Sequence, residues 1–275
     1  MTLALILLAI LSLSAAVVST VMFRIERAKL KRYQVRGGWP VRAVPAYEID
    51  PAFRPGPFGP GLEAEVSFIG MGPFDVEGGT SDVEAWMLAV LAKRAHRMFE
   101  FGTCTGKTSY LWARNSPDDA RITTLTLAPD EKEIYRADAA DDASDTASAL
   151  SESGHTTFLY SGTPVEAKIE QLFGDSKTLD ITPWAGQCDL VFVDGSHAYS
   201  YVVSDSEKAL ALVRPGGLVV WHDYAGPDHS PGVYRALNEL NEKLPLKRIA
   251  TTWMVVYRHP GEAAPASDSM RTIRS

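Results

Sequence analysis

From Thr80 onward the chain alternates between two hydrophobic rhythms. The stretch TSDVEAWMLAVLAKRA places Ser81 and Glu84 at capping-box spacing. Trp86, Met87, Val90 and Leu91 then recur at helical intervals. Short apolar runs follow: RMFEF (97–101), RITTLTL (121–127), TTFLYS (156–161), DLVFVD (189–194) and GLVVWHD (217–223). A closing pair lies near LKRIA and MVVYR. Between them the pattern predicts helices over 108–114, 130–138, 165–173, 200–213 and 233–243. Strands that alternate with helices predict an α/β fold, with a doubly wound, mostly parallel, seven-stranded sheet. LVFV and LVVW lack polar alternation, which suits strands covered on both faces. Ligands in such folds bind beyond the carboxyl ends of the strands, so candidate chemistry should sit just after each one.

Upstream of Thr80 the pattern changes. Residues 2–23 carry no charge. As a helix they would reach roughly 33 Å, against a hydrocarbon core of roughly 30 Å. RIERAKLKR follows, with Arg24, Arg27, Lys29, Lys31 and Arg32 against Glu26. This predicts a single-pass membrane anchor over 1–23, with the rest of the chain in the cytoplasm. A cleaved signal peptide, with Ala15 and Ala16 near the cut, and a buried helix are the alternatives. A basic leading region is missing and the apolar run is long for a signal peptide. Residues 24–79 combine the basic flank with a Gly/Pro-rich connector, whose Trp39, Tyr47, Phe53 and Phe58 should pack on the domain. The folded domain is expected over 80–260 and a flexible tail over 261–275.

Composition narrows the classes. The 275 residues are 45% hydrophobic and 22% charged, with a net charge of −7. That excludes a disordered chain, and it argues against a nucleic-acid partner, which would call for a dominant basic patch. Cys104 and Cys188 are too few for a disulfide framework or a zinc cluster, and they read as reduced thiols.

The chemistry is concentrated in a few segments. FEFGTCTGKTSYLW contains GKT behind a glycine turn, but only three residues separate Gly102 from Gly106. A phosphate-cradling Walker loop needs four before GK[ST], so this loop is one residue short. An acid closing a strand, a tight glycine turn and a helix remain. This resembles motif I of the class I S-adenosylmethionine-dependent methyltransferases. LVRPGG looks like that superfamily's turn before its fifth strand. FVDGSH and WHDY resemble its small-molecule and sugar O-methyltransferases.

The resemblance spans roughly residues 80–258 and implies S-adenosylmethionine as cofactor. It implies that Glu100, Gly102, Thr103 and Gly106 hold the methionine and ribose part. Thr126 stands where the family places the acid that accepts from the ribose hydroxyls. That is a departure, because a hydroxyl lacks charge-assisted strength; Asp130, four positions later, is an acid that could reach back. Ser161 and Gly162 are expected where the chain passes the adenine ring, with no adenine-reading acid beside them.

Asp194, His197, His222 and Asp223 form the leading chemical constellation. Strands four and five are neighbours in this superfamily, and adjacent strands lie about 4.8 Å apart. Asp194 and Asp223 at their tips would face one crevice and could hold Mg2+. His197 or His222, with Asp194, could instead act without a metal as the general base. Purely structural roles are the third reading. Tyr224 follows the second acid where many relatives carry another ligand, and His229 reads as a surface residue. The expected function is a membrane-anchored O-methyltransferase acting on a small-molecule or glycan-type acceptor, with a homo-oligomer left open. A tethered non-catalytic module and an enzyme of different chemistry on the same fold, such as a hydroxylase-like relative, are the alternatives.

Overall fold

A computed structural model describes residues 39–74, 76, 79–130 and 132–261, together with Ser19, Met22 and Arg24. The chain divides into two compact units, residues 1–40 and 41–275, and the fold below is that of the second. The expected anchor, its basic flank and the expected tail fall almost wholly outside the described residues. Among those described, no helix is long and apolar enough to cross a membrane.

In chain order the strands are β1 (Ala43–Val44), β2 (Pro55–Gly56), β3 (Gly59–Pro60), β4 (Arg97–Phe101), β5 (Arg121–Thr126), β6 (Ile169–Phe173), β7 (Cys188–Val193), β8 (Val213–Trp221), β9 (Lys247–Ile249) and β10 (Val255–Arg258). The α-helices are α1 (Asp82–Ala92), α2 (Lys107–Asn115), α3 (Ala143–Glu152), α4 (Tyr199–Leu212) and α5 (Pro231–Asn241). β2 and β3 form a small separate ribbon. The main sheet has the order β1-β9-β10-β8-β7-β4-β5-β6. It has eight strands where seven were expected. The addition is the two-residue β1, which the proline-rich connector lays parallel to β9. β10 alone runs antiparallel to its neighbours, β8 and β9.

Strand order reverses at β4, which lies between β5 and β7. This is the switch point where an open α/β sheet leaves a crevice. Phe101 pairs with Val193, so Gly102 and Asp194 emerge side by side. Asp194 N donates to Phe101 O at 2.9 Å.

The central strands are apolar because both faces are covered. Phe99, Val191, Phe192, Val219 and Val220 are fully buried. Each such side chain contributes about 1.5–3 kcal/mol of transfer free energy. Trp221 belongs to the core as expected, and its Nε1 donates to Ser206 Oγ at 2.9 Å. The capping box predicted for α1 is present, with Ser81 Oγ accepting from Glu84 N and the Glu84 carboxylate accepting from Ser81 N.

The middle of the chain departs from expectation. TTFLYS is not a strand. It folds into turns closed by Ser161 N to Phe158 O and Thr163 N to Tyr160 O. The third parallel strand is IEQLF, inside the stretch expected to be helical. Val165, Ile169, Leu172 and Phe173 fit a helical period, but pairing of Ile122 with Ile169 through Thr126 with Phe173 prevails. β6 is an edge strand with polar Glu170 and Gln171, so it gives no continuous apolar run. The helix expected over 130–138 shrinks to a single 3-10 turn, Lys132–Ile134. A helix the periodicity did not reveal, α3, starts beyond it behind Asp142, whose side chain accepts from Ser144 N at 2.8 Å.

Candidate active site

The glycine turn is built by close backbone approach. Gly102 has φ +95°, and a Cβ there would sit 2.0 Å from Asp194 O, which no side chain tolerates. Gly106, at φ +77°, begins α2 where a Cβ would strike Phe158 and Tyr160. Beneath the turn, Glu100 is buried and its Oε2 accepts from Ser109 Oγ and Thr124 Oγ1, each at 2.6 Å. Burial outweighs these bonds and pushes the Glu100 carboxyl up to about 8. Thr103 is turned inward, with its Oγ1 2.8 Å from Thr124 Oγ1. Glu100 and Thr103 thus form a polar layer under the turn.

Beside the turn runs a groove bordered by Gly102, Cys104, Thr126, Tyr135, Asp175 and Asp194. Thr126 ends β5 at the position expected for the ribose acid. Asp130 is exposed and does not border the groove. Ser161 and Gly162 are corrected. They do not border the groove, because the third strand ends at Phe173 rather than at Ser161. Gly174, Asp175 and Ser176 take that place. An acid therefore stands where the sequence offered none, and it went unseen because its strand read as helix. Glu152 of α3 also borders the groove.

Asp194, His197, His222 and Asp223 come together beyond the ends of β7 and β8. His197 Nε2 lies 2.8 Å from Asp223 Oδ2. His222 Nδ1 lies 3.0 Å from Asp194 Oδ1 and 3.1 Å from Asp223 Oδ2. On its other side, His222 Nε2 lies 3.3 Å from Glu84 Oε2. Glu84 was legible only as a capping residue. The same carboxylate also accepts from Trp253 N at 2.7 Å.

The cluster's charges hold one another. Burial opposes charge on His222, yet Asp223 and Asp194 raise it well above the ordinary imidazole range. Burial likewise opposes charge on His197, but the bond to Asp223 carries it up to about 9. Burial would raise Asp223, and the two imidazoles instead hold it well below the usual carboxylate range. The backbone contributes as well. A Cβ on Gly232 would lie 2.2 Å from His197 O, so the start of α5 packs directly on that histidine's main chain.

Among the described residues, the non-glycine positions with positive φ are Cys104, Asp223 and Thr251, and all three border one cavity of about 670 Å3. Backbone strain of this kind concentrates at functional sites. Glu84, Asp194, His197, His222 and Trp253 also border that cavity.

Asp194, His197 and Asp223 offer ligand atoms all within 4.8 Å of one another. Two carboxylates and an imidazole can hold a divalent cation, and the imidazole widens the choice beyond Mg2+. Tyr224 adds no ligand: it is buried and its hydroxyl bonds Asn238 Oδ1. Asp223 O accepts from Ser230 Oγ, which ties down the following loop, and His229 in that loop is exposed.

A third cavity, of about 350 Å3, lies between the connector and α2, bordered by Ile69, Phe74, Leu159, Glu100, Lys107 and Thr108. Cys104 and Asp194 border the groove and both cavities. Three spaces therefore meet at one point.

Residues 99–224 match the family model described as a methyltransferase domain. The match takes in the FEFGTCTG, FVDGSH and WHDY segments, and it bears out the resemblance to class I S-adenosylmethionine-dependent methyltransferases. No curated protein gives a significant match. Among solved structures, the chain is similar to the O-methyltransferase TomG from Streptomyces achromogenes, involved in tomaymycin synthesis and solved with SAM. Identity is 24% over 66% of this chain and 82% of that one, with a TM-score of 0.44. The SAH-bound methyltransferase PaMTH1 of Podospora anserina is 17% identical over 67% of this chain and 81% of that one, with a TM-score of 0.48. An O-methyltransferase from Bacillus cereus in complex with SAH is 16% identical over 66% and 84%, with a TM-score of 0.44.

Proposed function

We propose, from the premise that residues 99–224 match a methyltransferase domain, that the chain is an S-adenosylmethionine-dependent O-methyltransferase. Its acceptor is a hydroxyl of a small-molecule or glycan-type compound. Residues 1–23 hold the enzyme to a membrane with its catalytic body in the cytoplasm. One observation carries the reading of the reaction: the groove and the two cavities converge on Cys104 and Asp194. A sulfonium has three arms, namely an adenosyl group, an amino-acid chain and the methyl to be transferred. The groove suits the first, the cavity beside α2 the second, and the acid–histidine cavity the acceptor that meets the third.

In the reaction, the acceptor oxygen attacks the methyl carbon in line with the carbon–sulfur bond. A carbon–oxygen bond forms, the carbon–sulfur bond breaks with its electron pair going to sulfur, and S-adenosylhomocysteine leaves. The hydroxyl proton must go to a base, and alignment supplies much of the rate. His197, held by Asp223, stands in the acceptor cavity for that role in its deprotonated form, so turnover should rise as pH climbs toward about 9. A divalent cation on Asp194, His197 and Asp223 would instead polarise the acceptor oxygen.

The test incubates the full chain with S-adenosylmethionine and a panel of hydroxyl-bearing acceptors, with and without divalent cations, and follows S-adenosylhomocysteine. Release that depends on acceptor supports the reading. Thr126 in place of the ribose acid favours a second one, a tethered module without turnover. Cofactor binding in calorimetry with no product from any acceptor would favour that module.

A further inference from the structure

We propose that Lys107, the lysine of the GKT turn, binds the carboxylate of the methionine end of S-adenosylmethionine. The inference rests on the cofactor reading above and assigns a residue that the motif resemblance left without a role.

Lys107 opens α2 and borders the 350 Å3 cavity. Its Nζ is shut off from solvent and has no hydrogen-bond partner among the described residues. Among the described residues, Asp82 Oδ1 lies 3.8 Å from it. Asp82 is already engaged, with Oδ1 accepting from Met71 N at 2.5 Å and Oδ2 from Gly72 N at 3.1 Å. An ammonium in that position lacks the hydrogen bonds water would have given it, a deficit that an anionic ligand removes. Burial accordingly draws the Lys107 pKa downward, against the partial support of Asp82.

The surroundings select the anion. Ile69, Met71, Phe74, Val76 and Leu159 make much of the wall apolar. Such a wall suits a short hydrocarbon arm with one charge better than a polyphosphate, and the Walker spacing is missing. Gly106 caps α2 without a side-chain hydrogen bond, so first-turn amides remain for a carboxylate beside Lys107. Glu100 and Asp194 border the same cavity. A ligand end bearing both an amino group and a carboxylate matches a cavity with acids and one ammonium. The cavity shares Gly102, Cys104 and Asp194 with the groove, so a single ligand can occupy both.

The experiment measures affinities of the full chain for S-adenosylhomocysteine and for 5′-methylthioadenosine, which lacks the amino-acid arm. In Lys107→Met, S-adenosylhomocysteine should weaken about tenfold or more, with 5′-methylthioadenosine moving less than about twofold. Lys107→Arg, which keeps the charge, should stay within a few-fold of wild type for both and guards against a folding defect in the neutral variant. Equal weakening of both ligands by Lys107→Met, or no change in either, overturns the assignment. If the unaltered chain binds neither ligand, the cofactor reading itself fails and this assignment with it.

Discussion

Asp223 borders the acid–histidine cavity and Asp205 the groove, and their carboxyls shift in opposite directions. Asp223 faces His197 and His222, and they hold it well below the usual carboxylate range despite burial. Asp205, on α4 beside the groove, is buried with Oδ1 unpartnered among the described residues. Burial pushes it up to about 7. Lys208 is near enough to moderate this, yet its Nζ donates to Ser176 O and Leu179 O instead. Glu100 resembles Asp205, with hydroxyl donors and no cation bonded to it. Of these two aspartates, the one that meets imidazoles is held charged, and the one that meets none is pushed toward neutrality. The acceptor side is therefore a preformed set of charges suited to moving a proton. On the cofactor side, burial instead pushes Asp205 and Glu100 upward.

Removing a charge from the acceptor side should break this contrast most sharply. Asp223→Asn keeps the shape, and asparagine tolerates the left-handed backbone seen there, at φ +56°. We expect kcat to fall about a thousandfold, within the range for loss of acid–base function or its orientation, while S-adenosylhomocysteine binds as before. Unchanged turnover would move the chemistry elsewhere. Glu84→Ala comes next. It strips His222 of one carboxylate and leaves Trp253 N and Ser81 N without their acceptor. The expected cost is about 4 kcal/mol of stability, read from denaturant midpoints, because breaking a buried charged network leaves its partners exposed to the penalty.

On the cofactor side the effect should have the opposite sign. The folded-state pKa of Asp205 lies above its ordinary 3.8. Its contribution to stability is therefore fully present below about pH 4 and is lost as pH rises through about 7. Asp205→Asn stays neutral throughout. Between pH 5 and pH 8 the variant should gain on wild type by about 3 kcal/mol in unfolding free energy. Parallel pH profiles for the two proteins would show that Asp205 is charged after all, and the two sides of the crevice would then be alike.

The parts of this site that were legible in the sequence have local causes. The strands leading into FVDGSH and WHDY announce themselves by unbroken apolar runs, so Asp194 and Asp223 lie just beyond their carboxyl ends. The capping box named Glu84, but its second partner, His222, is far away in sequence and reaches it only through tertiary packing. β6 was hidden because an edge strand buries little, and its apolar residues fall at helical intervals. That one misreading displaced the groove lining from Asp175 to Ser161. Lys107 was visible in GKT from the start, but spacing could only say what it does not bind. Its buried, unpartnered nitrogen is a property of the folded chain.

The smallest expected effect concerns Thr126. Burial raises Asp205 beside the groove, and the position at the tip of β5 carries a hydroxyl where the family carries a carboxylate. Thr126→Asp would add an acceptor for both ribose hydroxyls. Thr126 is buried and, among the described residues, no cation lines the groove, so the new carboxylate would meet the same desolvation that raises Asp205. Part of its binding energy would be spent ionising it. We expect S-adenosylhomocysteine to tighten only about threefold at pH 7, and by more at pH 8.5 as the carboxylate ionises. A full hundredfold gain already at pH 7 would mean that this side of the crevice supports charge as well as the acceptor side does. Weaker binding at both pH values would place the ribose away from β5.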